Sequence, residues 1–576
     1  MMKWREEYEK WLANDALETS LKETLHAEKD EKVLEDSFYR NMEFGTAGMR
    51  GVLGAGTNRM NIYTIRKASE GLARYVAENG EEAKKRGVVI AYDCRHMSTE
   101  FAYESARVLG YHGIKSYVFE TLRPTPELSY AVRFLNTFSG IVITASHNPA
   151  EYNGYKIYGE DGGQMPPHGA DAVTRYIEEI TDIFAVKVAD KDVLIADGML
   201  DVISEKVDTP YLEDVKTVIV NNDLVEKHGK DLKIVFTPLH GTGGMLGLKA
   251  LESVGFTNVI QVAEQFEPDP NFTTVKSPNP ENREAFEVAI GYGEKYDADI
   301  LVGTDPDADR LGVVIRTKSG KYDVLSGNQI GALILHYLLK QKQAQNELPK
   351  NAAVLKSIVT SDLGTLIAKH FDVEMIEVLT GFKFIAEQIH NFETTGSHTY
   401  EFGYEESNGF MVKPFTRDKD AIQALLAICE VTLDSKQAGK TLAEDLEEIY
   451  EQFGYFKDDL VSLTMSGKDG SEQISNIMKS FRESMPAEMG GEKITKVEDY
   501  QLSERHYIET DKKEAIDMSK SNVIKCFLED GSWFCLRPSG TEPKIKFYFS
   551  IKDETEAAAI DKLERVREGL LKIVEK

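Results

Sequence analysis

Four times along this chain a short apolar run ends in a polar, often glycine-containing loop. Val88-Val89-Ile90-Ala91-Tyr92 leads into Asp93-Cys94-Arg95, and Ile141-Val142-Ile143 into Thr144-Ala145-Ser146-His147-Asn148-Pro149. Ile234-Val235-Phe236 precedes a loop that closes on Gly241-Thr242-Gly243-Gly244, and Ile300-Leu301-Val302 precedes Gly303-Thr304-Asp305-Pro306-Asp307-Ala308-Asp309-Arg310. Amphipathic stretches such as 245–254 and 281–296 lie between the runs. Strands alternating with helices predict α/β units with substantially parallel sheets. Such sheets bind ligands at the carboxyl ends of their strands, so chemistry is expected in these loops.

At 576 residues the chain is too long for one core and predicts three or four domains. Its tail follows another pattern. Residues 523–528 and 532–536 flank the turn 529–531 as a hairpin, 545–551 alternates like a strand, and 554–574 is an amphipathic helix. This predicts a separate, antiparallel α+β domain, with the Ser466-Gly467-Lys468-Asp469-Gly470 turn as its clearest punctuation. A net charge of -28 opposes nucleic-acid or anionic-membrane binding over the general surface. No apolar run reaches the roughly 20 residues of a membrane span. The first residues, M-M-K-W-R-E-E-Y-E-K, lack the apolar segment of a signal peptide, so a cytoplasmic location is expected. Cys94, Cys429, Cys526 and Cys535 form no metal-type cluster and are expected to be reduced, although Cys526 and Cys535 could face each other across the hairpin.

Asp305, Asp307 and Asp309 alternate in a tight loop, so their carboxylates can converge on one hard cation, Mg²⁺ or Ca²⁺ rather than zinc. The missing glycine and terminal glutamate argue against an EF-hand. Arg310 would offer a charge-assisted contact to a phosphate. Ser146 beside His147 invites a hydrolase reading, but G-x-S-x-G is absent and neighbouring side chains usually diverge. His147 is therefore expected to be poorly placed as a base for Ser146. A serine together with a cation loop suggests phosphoryl chemistry. Arg537-Pro538-Ser539-Gly540-Thr541-Glu542-Pro543 combines an arginine, hydroxyls and a glycine amide into an oxyanion nest. Glu405, Glu406 and Ser407 end an alternating run and suit sugar hydroxyls.

These residues resemble the α-D-phosphohexomutases, the phosphoglucomutase/phosphomannomutase superfamily. T-A-S-H-N-P, G-T-D-P-D-A-D-R, Y-E-E-S-N-G and R-P-S-G-T-E-P occur in the family order, with F-G-T-A-G-M-R-G (residues 44–51) as a fifth motif. The Glu-Glu-Ser form, Thr380-Gly381 and the length look most like the bacterial α-phosphoglucomutases related to the phosphopentomutase-type branch. The resemblance implies three related α/β domains plus a C-terminal α+β domain around a central cleft, with spans expected at 1–206, 207–322, 323–450 and 451–576. It implies a phosphorylated Ser146, Mg²⁺ held by Asp305, Asp307, Asp309 and the phosphoserine, and Arg310 on that phosphoserine. His147 takes a supporting place. Arg50, Lys156 and Lys419 match cationic positions, the two lysines being candidates for proton transfer. Thr380, Gly381, Glu405 and Ser407 match the sugar ligands, and Arg537, Ser539, Gly540 and Thr541 the loop for the non-transferring phosphate. Tyr404, where many members have glycine, and Asn408 depart from the pattern beside the sugar; Pro306 and Ala308 fill spacer positions.

The activity so implied is reversible conversion of α-glucose 1-phosphate and glucose 6-phosphate through glucose 1,6-bisphosphate, on a small phosphosugar and with no nucleic-acid or membrane partner. Phosphomannomutase, phosphopentomutase and bisphosphate synthase activities are the near alternatives. A phosphosugar phosphatase would release phosphate without an isomer, and a pure binding protein would need no acceptor serine. Nothing in the sequence sets an oligomeric state.

Overall fold

A computed structural model describes residues 3–45, 48–465, 467–539 and 544–574. The chain divides into two compact units. The first comprises Met1–Leu325, Ala386–Gly396 and Asn408–Gly439; the second comprises Ser326–Ile385, Ser397–Ser407 and Lys440–Lys576.

The first unit holds two mixed sheets. One has six strands in the order Gly48–Val52, Tyr152–Tyr158, Ser139–Ile143, Val88–Tyr92, Ser116–Phe119, Leu200–Ile203. Val88–Tyr92 runs parallel to both Ser116–Phe119 and Ser139–Ile143, and every one of its residues is buried. Its unbroken apolar sequence suits a strand covered on both faces. The helix Ile62–Glu78 on this sheet starts at a capping box between Asn61 and Thr64. The N-terminal helices Lys3–Ala13, Thr19–Ala27 and Glu31–Phe38 extend the same core, with Trp11 edge-on to Phe38, Tyr63 and Phe184. The second sheet has five strands in the order Tyr322–Val324, Leu311–Arg316, Ile300–Thr304, Ile234–Thr237, Val259–Gln261. The amphipathic stretch 281–296 is shorter than expected as an α-helix: a 3₁₀ turn, Arg283–Phe286, precedes the helix Glu287–Tyr296. Pro280 bars a helical conformation just upstream, and Asn279 takes the Glu281 and Asn282 amides into a turn.

In the second unit Ala352–Ser357 lies parallel to Glu374–Val378 and to Thr399–Glu405. The expected antiparallel tail is present as an eight-stranded sheet in which Tyr455–Thr464 pairs along its length with Lys544–Asp553. Helices Gly467–Glu483 and Glu556–Val574 cover one face through Ile474, Met478, Phe481, Val566 and Leu570. Trp533, Cys535 and Tyr548 on the other face share a second core with Ile358, Val359 and Leu379.

Two expectations change here. The hairpin strands Ile524–Leu528 and Trp533–Pro538 set Cys526 opposite Phe534 and Cys535 opposite Lys525. The cysteines therefore enter different cores and cannot face each other. The turn expected at 466–470 is the start of the helix Gly467–Glu483, with Ser466 outside the described residues. Among the described residues no helix is long and apolar enough to cross a membrane.

Candidate active site

The loop carrying Ser146 leaves the end of the buried strand Ser139–Ile143 and returns through Tyr152–Tyr158, which sets Lys156 opposite Val142. On the far side of that return strand, Arg50 pairs with Gly154. Glycine is required at 154: a Cβ there would stand 2.4 Å from the Thr144 carbonyl oxygen. Ser146 is 3% exposed and takes a left-handed backbone conformation, φ +51°. Its amide donates to Thr144 Oγ1 (2.8 Å), and its hydroxyl donates to Asp305 Oδ2 at 2.8 Å.

That conformation corrects the expectation about His147. The left-handed turn at Ser146 brings the neighbouring ring to the same side of the chain, with Nδ1 3.1 Å from Ser146 Oγ. Burial, followed by the charges of Arg310 and Arg50, pushes the imidazole pKa well below its ordinary value. His147 therefore stands beside Ser146 as a neutral ring.

The aspartate loop follows the buried strand Ile300–Thr304 and folds on itself, because Asp305 Oδ1 accepts the amides of Asp309 (3.1 Å) and Arg310 (3.0 Å). Thr125 fastens it from outside the motif: its amide donates to the Asp307 carbonyl (2.9 Å) and its hydroxyl to Asp307 Oδ2 (3.0 Å). The glycine-rich loop at 241–244 serves close packing against this segment, since a Cβ on Gly241 would lie 2.3 Å from Pro306 Cα. Carboxylate oxygens of Asp305, Asp307 and Asp309 all lie within 4.8 Å of one another. Burial, then Asp307 and Asp309, pushes Asp305 far above the usual carboxylate range. Burial acts the same way on Asp307, but Lys156 and hydrogen bonds from Asp305 and Thr125 hold it below that range. Asp307 Oδ1 and Asp309 Oδ1 are buried and, among the described residues, have no hydrogen-bond partner. Crowded, orphaned carboxylate oxygens are the donor set of a hard divalent cation.

Three predicted cations meet these groups. Lys156 Nζ is 3.3 Å from Asp307 Oδ2, and Lys419 Nζ is 3.0 Å from Asp309 Oδ2 and 3.2 Å from Asp418 Oδ1. Arg50 donates to Asn148 Oδ1 in the serine loop (2.8 Å). Arg310, expected on the phosphoserine, is paired here with Glu281.

The predicted sugar and phosphate ligands belong to the second unit. Glu405, 5% exposed, ends the strand Thr399–Glu405 and accepts the Gly381 amide at 2.7 Å. Thr380 is beside it, with Oγ1 buried and without a hydrogen-bond partner among the described residues. Glu406 accepts from Ser357 (3.0 Å) and Thr360 (3.1 Å), and Ser407 is half-buried. Arg537 donates to Tyr548 Oη at 3.2 Å. Burial pushes its guanidinium down, but Tyr548, Glu406 and Glu405 hold it above its ordinary value. The Ser539 amide donates to the Lys544 carbonyl (2.7 Å); Gly540 and Thr541 lie outside the described residues. The side chain of Tyr404 turns away from that of its strand neighbour Glu405. It is 1% exposed and fills the core, where a Cβ on Gly331 or Gly364 would come within 2.4 Å or 2.0 Å of its ring or hydroxyl. Asn408, in the first unit, is likewise structural: its side chain donates to the Leu311 carbonyl (3.0 Å) at φ +59°.

A mixed α/β fold with an acceptor serine hydrogen-bonded into a buried aspartate triad defines a candidate phosphoryl-transfer centre. Residues 41–183, 209–320 and 326–453 match the family descriptions of phosphoglucomutase/phosphomannomutase alpha/beta/alpha domains I, II and III, and residues 490–565 match its C-terminal domain. The chain belongs to the phosphoglucomutase/phosphomannomutase family. A protein of Staphylococcus aureus (strain MSSA476) named phosphoglucomutase is 41% identical over 550 residues, covering 94% of this chain and 95% of that protein. Parafusin (phosphoglucomutase) from Paramecium, in its open form, superposes with a TM-score of 0.68 at 18% identity, over 93% of this chain and 96% of that one. A phosphoglucomutase/phosphomannomutase family protein from Burkholderia thailandensis gives 0.65 at 18% identity, over 92% and 97%. These two likenesses establish the shared fold.

Proposed function

We propose that this phosphohexomutase is a phosphoglucomutase that interconverts α-D-glucose 1-phosphate and glucose 6-phosphate through a phosphorylated Ser146 and glucose 1,6-bisphosphate. The observation that carries the reading is the buried Ser146 hydroxyl donating to Asp305 at 2.8 Å beside the orphaned oxygens of Asp307 and Asp309. Support for glucose comes from the Staphylococcus aureus relative, whose name is phosphoglucomutase.

In this reading Asp305, Asp307 and Asp309 hold Mg²⁺, which when bound supplies positive charge to the phosphoryl oxygens. Ser146 stores the phosphoryl group. His147, neutral, borders its oxygens, and Arg50 and Lys156 add positive charge beside them. Lys156 and Lys419, at Asp307 and Asp309 respectively, remain the candidates for the sugar hydroxyl's proton. Glu405, Ser407, Thr380 and Gly381 hold sugar hydroxyls. Arg537 and Ser539, with Gly540 and Thr541, take the non-transferring phosphate. The domain spans 1–206, 207–322, 323–450 and 451–576 and a cytoplasmic location belong to the same proposal.

A coupled assay of glucose 1-phosphate, mannose 1-phosphate and ribose 1-phosphate, with and without glucose 1,6-bisphosphate and Mg²⁺, tests it. The expected result is bisphosphate- and Mg²⁺-dependent turnover fastest on glucose 1-phosphate. Release of inorganic phosphate without an isomeric product would overturn the mutase reading.

A further inference from the structure

Ser146 is neither glycine nor asparagine, yet it holds a left-handed backbone, a strained conformation that persists only where the surroundings impose it. The surroundings converge on Arg95. This side chain is wholly buried, and its guanidinium gathers the serine loop from the inside. One terminal nitrogen donates to the carbonyls of Ser146 and Asn148, both at 2.6 Å; the other donates to those of Pro149 (2.8 Å) and Tyr152 (3.0 Å). Nε faces Asp93 Oδ2 at 3.2 Å, and Asp93 Oδ1 accepts the Arg95 amide and the Ser98 hydroxyl, each at 3.0 Å.

A segment distant in sequence completes the arrangement. The ring of Phe272 lies 5.0 Å from the Arg95 guanidinium carbon; Phe272 is 2% exposed and itself left-handed, φ +49°. Asp269 fixes this turn by accepting the amides of Asn271 and Thr273, each at 2.9 Å. Five residues beyond the ring, Ser277 donates to the His147 carbonyl at 3.2 Å. Residues 269–277 therefore fasten the serine loop from outside while Arg95 holds it from within.

We propose that Arg95, covered by Phe272, is a positioning residue for phosphoryl transfer: the pair sets the left-handed Ser146 and so fixes where its oxygen stands relative to Asp305. Neither residue touches the reacting atoms. A lysine cannot replace the planar fork that serves several carbonyls at once, and an aliphatic side chain at 272 removes the ring face that the guanidinium meets. The inference rests on Ser146 being the phosphoryl carrier.

The experiment uses the full-length wild type, Phe272→Leu and Arg95→Lys. Each is incubated with glucose 1,6-bisphosphate, and phosphoryl gain on Ser146 is read by intact mass and peptide mapping before steady-state kinetics with glucose 1-phosphate. Phe272→Leu is expected to lower kcat about 10-fold, and Arg95→Lys about 100-fold, the scale of a small misplacement of a reacting group. KM is expected to stay within about 2-fold of wild type, because the sugar's own ligands are unchanged. If wild type carries no phosphoryl mass on Ser146 either before or after the incubation, the carrier reading fails and the clamp fails with it. If wild type is phosphorylated and Phe272→Leu keeps the wild-type kcat, the clamp alone is overturned. A lower unfolding midpoint with unchanged kcat per folded molecule makes Phe272 a packing residue and overturns it equally. Should Arg95→Lys not fold, Phe272→Leu decides.

Discussion

The serine and aspartate loops of the first unit and the groups predicted to take sugar and phosphate in the second differ in which of their described polar atoms are engaged. Around Ser146 and Asp305 the loop backbone is engaged by buried groups, down to the four carbonyls that meet Arg95, while Asp307 Oδ1 and Asp309 Oδ1 have no hydrogen-bond partner among the described residues. In the second unit Glu405 is fastened by the Gly381 amide, but Ser407 and Ser539 are half-buried, and Thr380 Oγ1 has no hydrogen-bond partner among the described residues. Preorganisation matters most where charge moves during reaction. On the proposed reading, a hydroxyl such as Thr380 Oγ1, which would meet a substrate in two orientations, gains from staying unspent.

The sharpest test of this division is Ser146→Ala. It is expected to abolish mutase turnover, by about 10⁴-fold or more, while the unfolding midpoint stays near wild type; full activity would end the comparison. Asp307→Ala should cost about 10²–10³-fold in kcat, and saturating Mg²⁺ should not restore it; unchanged turnover would remove Asp307 from the centre. On the other side, Arg537→Ala should act mainly on KM, raising it about 10–100-fold with kcat changed only a few-fold. A pure kcat loss would show that the second unit is as tightly coupled to the chemistry as the first.

The smallest expected effect concerns pH. Asp420 is buried at the start of the helix Ala421–Gln437, and burial pushes its carboxyl up to about 6 despite hydrogen bonds from Gln423, Tyr211 and Ile422. The folded state binds this proton more tightly than the unfolded chain does, so its stabilising contribution is complete below about pH 4 and is lost as pH rises through about 6. Asp420→Asn, which keeps a helix-capping side chain, should flatten the change in unfolding midpoint between pH 4 and 7 by about 2–4 °C. An equally steep dependence in the variant would assign it to another group.

The residues proposed to react were legible because each follows an apolar run whose strand character is local, and because alternating aspartates have few other uses in a tight loop. Positioning residues were not. Thr125 reaches Asp307 across 182 residues of sequence, and Phe272 meets Arg95 from a separate segment; neither carries a local signal. Arg95 itself stood in the expected loop, but the four carbonyls it serves are backbone atoms, invisible in side-chain identity. His147 was misjudged because sequence shows left-handed backbone reliably only where glycine stands. Tyr404 was misplaced because strand alternation shows that its side chain points away from that of Glu405, but not that a core lined by Gly331 and Gly364 waits on that side.

The core shared by Ile358, Val359 and Leu379 with Trp533, Cys535 and Tyr548 bears on how the protein is made. A ribosome delivers the chain in order, at roughly 5–20 residues per second. The strand Ala352–Ser357 and its parallel neighbours emerge well before the last strand, Lys544–Asp553, that completes their cover. For that interval an apolar surface waits in the cell for a partner still being translated. Distant closures of this kind are slow, and a surface left open meanwhile is the kind on which unfinished chains associate.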